Sequence, residues 1–137
     1  MSIASIDHWV MVVGDIERTL AFYRRLGFEI AEEPREGRPP MPTIRIGRTQ
    51  KINVHARDWP ARPGYLGARR PSVGGVDFCL VWDGSVQEVL DLLARTGVAV
   101  EAGPGPRTCA RGVSTSVYFR DPDDNLVEFT IYPDGDR

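Results

Sequence analysis

The chain has 137 residues, of which 42% are hydrophobic and 26% charged, a composition typical of a globular domain that excludes disorder and fibrous repeats. Its formal net charge of −2 argues against a nucleic-acid partner, because phosphate backbones are bound by basic surfaces. The sequence has neither an apolar run near the ~20 residues that span a bilayer nor a signal-peptide pattern. We therefore expect a cytoplasmic protein without a membrane partner.

The first half of the chain predicts a strand, a helix and three further strands. Residues 6–13 are apolar and rich in β-branched side chains, which indicates a strand. A helix follows, with apolar residues at helical spacing between an N-cap at Asp15 and a terminal Gly27. Pro39 and Pro40 predict a turn. The later strands are expected at residues 28–32, 43–46 and 51–55.

The second half repeats the same order of elements. Residues 76–82 predict a strand, and Ser85 and Glu88 form a capping box at the start of a helix that ends at Gly97. Residues 103–106 predict a turn. The remaining strands are expected at residues 98–101, 114–119 and 126–132.

This repeat predicts an α+β fold built from two βαβββ modules. Residues 1–137 form one domain, with modules at 1–58 and 74–134. The modules are joined by residues 56–75, whose prolines, glycines and arginines favour a crossing loop. A loop of this length is either a plain solvated connector or a lid over a site. The candidates for a lid are Trp59, Tyr65, Arg69 and Arg70.

The two cysteines do not form a recognisable motif. Cys79 and Cys109 are not spaced like a zinc pair, and a reducing compartment disfavours a disulfide between them. Cys79 lies in an apolar strand and is expected to be buried, whereas Cys109 is expected in a loop.

Polar residues within the apolar strands are the candidate site residues. Alternate side chains of a strand share one face. On these faces His8 and Asp77 occupy equivalent positions in the two halves, and Glu128 corresponds to Asn53, with His55 two residues further along. Buried carboxylates beside imidazoles are most simply stabilised by a shared cation. The pattern therefore predicts a metal site, although each residue taken alone is compatible with a structural or solvent-exposed role.

At these residues the sequence resembles the vicinal oxygen chelate superfamily, which includes glyoxalases, fosfomycin-resistance proteins and extradiol dioxygenases. The resemblance rests on a first strand with a histidine followed by VGDIERTLAFYRRLGF, and on the tail YFRDPDDNLVEF. It covers nearly the whole chain. The segments QKINVH and DFCL also resemble a glyoxalase-domain group whose members are sometimes labelled virulence proteins.

The resemblance assigns roles to individual residues. His8 matches the first metal ligand of the family and Glu128 the last, while Asp77 lies where many members carry a second histidine. Asn53 stands where glyoxalase I carries glutamate, and His55 is a candidate either for the missing donor or for a substrate contact. Glu128 and His55 are the candidates for proton transfer. The residues expected to bind substrate are Arg45, Asn53, Tyr118 and Arg120.

The resemblance also implies an architecture and a chemistry. Curled mixed sheets are expected to form a cup that holds a metal or a ligand, either within one chain or swapped between the subunits of a homodimer. Imidazole and carboxylate donors suit a divalent Fe, Mn, Ni or Zn ion. Such an ion would bind two adjacent oxygens of a small substrate, which favours a lyase or dioxygenase.

A second class of function remains open from the sequence. Bleomycin-resistance members of the family bind and sequester an antibiotic or aromatic compound without a metal. Fosfomycin resistance ranks below both readings, because the sequence does not place enough arginines on the cavity strands to hold a phosphonate.

Overall fold

The computed structural model describes residues 1–135. They form two compact units, the first spanning Met1–Gly75 and the second beginning at Val76. Each unit contains a four-stranded mixed sheet and an α-helix, which confirms the predicted α+β fold of two βαβββ modules. Among the described residues no helix is long and apolar enough to cross a membrane.

The first unit has the strand order β1-β4-β3-β2. β1 pairs in parallel with β4, and the other pairs are antiparallel. A short 3-10 helix at Trp59–Ala61 lies in the predicted connecting loop. The elements are β1 His8–Val13, α1 Ile16–Arg25, β2 Ile30–Arg35, β3 Arg38–Ile46 and β4 Gln50–Ala56.

The second unit repeats this topology with the order β5-β8-β7-β6. β5 pairs in parallel with β8, and the other pairs are antiparallel. The elements are β5 Asp77–Val81, α2 Val86–Thr96, β6 Ala102–Cys109, β7 Gly112–Arg120 and β8 Leu126–Ile131.

Both helices begin where the sequence predicts. The Asp15 carboxylate accepts a hydrogen bond from the Arg18 backbone N–H at 2.9 Å and caps α1. At the start of α2, Ser85 and Glu88 form the predicted capping box. Gly97 ends α2 with a φ of 74°, a left-handed conformation that favours glycine.

The predicted turns at Pro39–Pro40 and at residues 103–106 were wrong, because these residues lie within β3 and β6. The N-terminal part of β3 pairs with β2 alone, since its pairing with β4 begins at Thr43. β6 is an edge strand. Proline lacks a backbone N–H and is tolerated where one side of a strand has no partner. The strand predicted at residues 98–101 is also absent, and β6 begins at Ala102.

The helix in each unit packs against the sheet, and buried apolar side chains fill that face. Along β7, Tyr118 lies between Val117 and Phe119, both fully buried, so alternation directs Tyr118 to the opposite face. That opposite face is where the polar candidates lie. The buried apolar strand residues include Met11, Val13, Ile44, Ile52, Val54, Val117, Phe119, Val127 and Phe129.

A buried polar turn fixes the start of β5 and β8. The Asn125 side chain is fully buried. It accepts from the Val76 backbone N–H at 3.0 Å and donates to the Asp121 carboxylate at 2.9 Å. The Asn125 backbone N–H donates to the same carboxylate. The turn therefore sets the positions of Asp77 and Glu128, which follow it on the two adjacent strands.

Candidate functional site

The polar face of the second unit is organised by one row of side chains across three strands. Cys79 pairs with Glu128, and Glu128 pairs with Tyr118. Paired residues of neighbouring strands point to the same face. Asp77 lies in the adjacent row, where it pairs with Leu126. Asp77 and Glu128 are thus diagonal neighbours on one face.

Hydroxyl groups hold the Glu128 carboxylate in place. Ser116 Oγ donates to Glu128 Oε2 at 2.6 Å and lies 2.8 Å from Thr130 Oγ1. Ser114 Oγ also bonds to Thr130. These three hydroxyl-bearing residues are almost fully buried. The Glu128 carboxylate is therefore held in position by a buried network of hydrogen-bonded hydroxyl groups.

Both cysteines lie on this face, contrary to the expected burial of Cys79. Cys79 is exposed, and Cys109 is half-buried at the end of β6 and not in a loop. Cys109 Sγ lies 3.9 Å from Glu128 Oε2 and 3.6 Å from Thr130 Oγ1. Desolvation first, and then the negative charge of Glu128, raise the pKa of Cys79 to about 12.

The raised pKa of Cys79 makes its alkylation slow. A pKa of about 12 leaves far less thiolate at pH 8 than an ordinary thiol has, and the higher basicity of that thiolate recovers only part of the loss. In the Cys109→Ser variant, where desolvation and Glu128 still act on Cys79, we expect iodoacetamide to alkylate Cys79 roughly tenfold or more slower than it alkylates a small thiol of ordinary pKa. The rate should keep rising tenfold per pH unit beyond pH 9, whereas a plateau near pH 9 would contradict the assignment.

The other substrate-binding candidates of this unit already have protein partners. Arg107 Nε donates to the Tyr118 hydroxyl at 3.0 Å, and its guanidinium stacks over the Tyr118 ring. Desolvation is the main cause of a raised pKa for Tyr118. Arg120 donates to Glu101 at 3.3 Å and to the Asp124 carbonyl oxygen. Arg120 therefore connects the loops that contain Glu101 and Asp124. Tyr118 lies next to Glu128, in the same row of paired residues.

The first unit presents an equivalent arrangement. His8 pairs with Lys51, and Lys51 with Arg45; one row further along, Val10 pairs with Asn53. Asn53 is placed relative to His8 as Glu128 is placed relative to Asp77. Lys51 and Arg45 share the Glu33 carboxylate, with Nζ–Oε2 and Nη1–Oε1 distances of 2.5 and 3.5 Å.

His8 is oriented by its neighbour. Its Nδ1 lies 2.6 Å from the Asp7 carboxylate, and because a carboxylate is an acceptor, Nδ1 carries the proton. The hydrogen bond with His8 is the main cause of a lowered pKa for Asp7. A carboxylate that orients an imidazole through one ring nitrogen in this way is a usual support for a metal-binding histidine, which binds the ion through its other nitrogen.

The Asn53 side chain supplies an unsatisfied acceptor. Its Oδ1 is buried and has no hydrogen-bond partner among residues 1–135. A buried acceptor without a donor or cation costs free energy. The atom therefore fits a site completed by a cation or by a donor from a ligand. The His8 imidazole and Asn53 amide of the first unit are donor types that fit a divalent ion, and so are the Asp77 and Glu128 carboxylates of the second.

Replacing Asn53 with Leu is expected to raise the free energy of unfolding of the metal-free protein by roughly 1–2 kcal/mol, because it removes the unsatisfied acceptor. The neighbouring Thr43 provides the matched control, since its hydroxyl donates to the Ala31 carbonyl at 3.2 Å. Thr43→Val should lower stability by about 1 kcal/mol. Urea denaturation measures both changes, and an Asn53→Leu variant less stable than the parent would contradict the assignment.

His55 lies on the same sheet face as His8, but the two residues are far apart along the strands. The two histidines are four register positions apart, which corresponds to about 13 Å along the strands. His55 is 7% exposed, and its Nδ1 lies 2.9 Å from the Tyr65 hydroxyl. Burial, followed by the charge of Arg35, lowers the pKa of His55. His55 is therefore a neutral side chain that supports the loop.

That loop closes a cavity in the first unit. Trp59 packs against His55 with ring centroids 5.1 Å apart, and the guanidinium groups of Arg35 and Arg62 lie over the Trp59 ring. The cavity has a volume of about 220 Å³. Its walls combine aromatic, apolar and cationic groups, from Arg35, Arg38, Pro39, Trp59, Arg62, Pro63 and Tyr65.

Comparison with known proteins assigns the family. A family model described as the Glyoxalase/Bleomycin resistance protein/Dioxygenase superfamily matches residues 5–129. This chain belongs to that superfamily. The virulence protein STM3117 of Salmonella typhimurium is 36% identical over 133 residues, which cover 96% of this chain and 87% of that protein. The glyoxalase domain-containing protein RDO1 of Mycosarcoma maydis is 36% identical over 135 residues, covering 98% and 72% of the two chains.

Solved structures of the superfamily share the fold. An integron cassette protein from the mobile metagenome of V. cholerae matches with a TM-score of 0.85 and 34% identity, over 96% of this chain and 98% of that one. A lactoylglutathione lyase from Agrobacterium tumefaciens matches with a TM-score of 0.70 and 25% identity, over 95% of each chain. The family expected from the sequence is thereby confirmed.

Several residues around Glu128 in the second unit were not among the site residues predicted from the sequence. Cys79 has the same strand parity as Asp77, so alternation could have placed it on the polar face. Cys109 and Arg107 could not be placed, because the start of β6 was interpreted as a turn. Alternation also places Ser116 with Tyr118 and Thr130 with Glu128, but it does not show that their hydroxyls bond to each other and that Ser116 bonds to the carboxylate.

Proposed function

We propose that the chain is a metal-dependent enzyme of the glyoxalase or dioxygenase type, acting on a small molecule with two adjacent oxygens. The observation that supports this most strongly is the matched pair of positions in the two sheets, His8 with Asn53 and Asp77 with Glu128. Both pairs consist of residue types that bind divalent Fe, Mn, Ni or Zn.

The ligands that we propose in the first unit are His8 through Nε2 and the Asn53 amide oxygen, and those in the second unit are the carboxylates of Asp77 and Glu128. When bound, a divalent ion would supply Lewis acidity to the substrate oxygens. His55 is not retained as a ligand beside His8 because of its separation from that residue and its contact with Tyr65.

The remaining residues bind and orient the substrate. Lys51 and Arg45 present positive charge next to His8 and would attract an anionic group. The Tyr118 hydroxyl, which accepts from Arg107, keeps its own proton for donation to a substrate oxygen. Glu128, oriented by Ser116, is the candidate for moving a proton.

A chromophoric catechol tests this proposal. Titration of Mn²⁺-loaded protein with 4-nitrocatechol should shift the visible spectrum of the probe, because both vicinal oxygens would bind the ion. The metal-free protein and the Glu128→Gln variant should give no shift. A probe that binds equally with and without the ion would contradict a metal-dependent site.

The cavity at Trp59 supports a second candidate, a module that binds an aromatic anion without a metal. Its volume of about 220 Å³ is below the roughly 300–1,000 Å³ typical of pockets for drug-sized ligands, so it would hold a single ring system. The arginines would pair with the anionic group and Trp59 with the ring. Binding of naphthalene-2-sulfonate that is lost in Trp59→Ala and Arg38→Ala, yet unaffected by metal, would favour this function.

A further inference from the structure

We propose that the second unit carries a binding site for a thiophilic divalent cation, formed by Cys79, Cys109 and Glu128. The ligand atoms of these three residues all lie within 4.8 Å of one another. The site differs in donor chemistry from the imidazole and carboxylate set proposed above. The two share Glu128, but this site requires no residue of the first unit.

The fold brings the two thiols together from opposite edges of one sheet. Cys79 is on β5 and Cys109 at the end of β6, the two outer strands of the order β5-β8-β7-β6. Strands at opposite edges of a flat four-stranded sheet would be about 14 Å apart. Cys109 Sγ nevertheless lies 3.9 Å from Glu128 Oε2 on β8, so the sheet curls enough to bring side chains of its two edge strands to the same carboxylate.

The spacing of the donor atoms suits a tetrahedral ion. Zinc–sulfur bonds of about 2.3 Å place two ligands of a tetrahedron about 3.8 Å apart. The Cys109 Sγ to Glu128 Oε2 distance is 3.9 Å, and the remaining separations are within 4.8 Å. Small side-chain movements would shorten the longer separations to this value, and a fourth position would remain for water or a ligand.

Buried hydroxyl groups support two of the three donors, Glu128 and Cys109. Ser116 donates to Glu128 at 2.6 Å, and Thr130 lies 3.6 Å from Cys109 Sγ. Both hydroxyl-bearing side chains are 1% exposed. Supporting hydrogen bonds of this kind fix the orientation of metal ligands, whereas the exposure of Cys79 gives an ion access from solvent.

The donor set selects the class of ion. Two sulfur ligands and one carboxylate favour Zn²⁺, Cd²⁺ or Co²⁺ over Mg²⁺, Ca²⁺ or Mn²⁺. A coordinated thiol is deprotonated by the ion itself. The same ion would occupy Glu128 and therefore compete with Mn²⁺ for that carboxylate.

Cobalt titration tests the site, because thiolate-to-Co²⁺ charge transfer absorbs in the near ultraviolet. The chain has two cysteines, so this absorption reports on them alone. We expect a band that saturates at one Co²⁺ per chain at dilute protein concentration. It should disappear in Cys79→Ser and in Cys109→Ser, and Glu128→Gln should weaken Co²⁺ affinity at least tenfold. Circular dichroism verifies that each variant is folded, and native mass spectrometry with Zn²⁺ gives a second count of bound ions.

The His8→Ala variant distinguishes the thiol site from the metal site of the proposed function. The variant should keep the Co²⁺ band and its stoichiometry, even where it loses Mn²⁺ and 4-nitrocatechol binding. The thiophilic site is overturned by the absence of Co²⁺ binding, by binding without the charge-transfer band, or by a band that persists in either serine variant. Retained Co²⁺ absorption together with no Mn²⁺-dependent catechol binding in the parent would instead overturn the proposed function alone.

Discussion

Replacing Glu128 with Gln is expected to lower the affinity of the protein for Mn²⁺ by 100-fold or more while leaving the fold intact. The substitution keeps the size of the side chain and its contact with Ser116, but it removes the negative charge that offsets the cation. Loss of a residue that only supports a ligand costs about 10–100-fold in metal affinity, and loss of a direct ligand should exceed this. Calorimetric titration with Mn²⁺ measures the change.

The matched control is Glu101→Gln, which removes a carboxylate of the same unit that pairs with Arg120 and is half exposed. This variant should bind Mn²⁺ like the parent. If Glu128→Gln and the parent bind Mn²⁺ with equal affinity, Glu128 is not a ligand. The metal-free binding module would then become the better account.

Replacing Asn125 with Ala is expected to lower the free energy of unfolding by roughly 2–4 kcal/mol. The change leaves the Val76 N–H without its acceptor and removes a donor from the buried Asp121 carboxylate. Both groups are in a region where water does not easily replace the lost partner. Urea denaturation followed by circular dichroism measures the loss.

Asn125→Asp provides a second variant at the same position. It keeps an acceptor for Val76 but places a carboxylate 2.9 Å from the Asp121 side chain, so repulsion should make it at least as unstable as Asn125→Ala at neutral pH. Stability within 0.5 kcal/mol of the parent in Asn125→Ala would show that the turn does not hold β5 and β8 in register.

The order of elements could be predicted from the sequence because local signals agree with the fold. The Asp15 cap and the Ser85–Glu88 box mark both helix starts. Strand alternation likewise placed Tyr118 on the face opposite the core. These features depend on neighbours within a few residues, which a single sequence contains.

Features that depend on strand pairing could not be predicted in the same way. Pro39 and Pro40 predicted a turn but lie in β3. The sequence alone does not show which side of a strand lacks a partner and can therefore accept proline. The approach of Cys109 to Glu128, with Sγ and Oε2 3.9 Å apart, depends on the curvature of the sheet. The distance between His55 and His8 could not be predicted for the same reason, since a shared face does not fix the distance along it.

The measurement that tests the central claim most directly is equilibrium dialysis against Mn²⁺, which disfavours thiol ligands. The parent protein is compared with a variant that combines His8→Ala, Asp77→Asn and Glu128→Gln. We expect saturable Mn²⁺ binding by the parent, and no saturable binding by the triple variant once circular dichroism shows that it is folded. Equal binding by both proteins, or no saturable binding by the parent, would contradict the account.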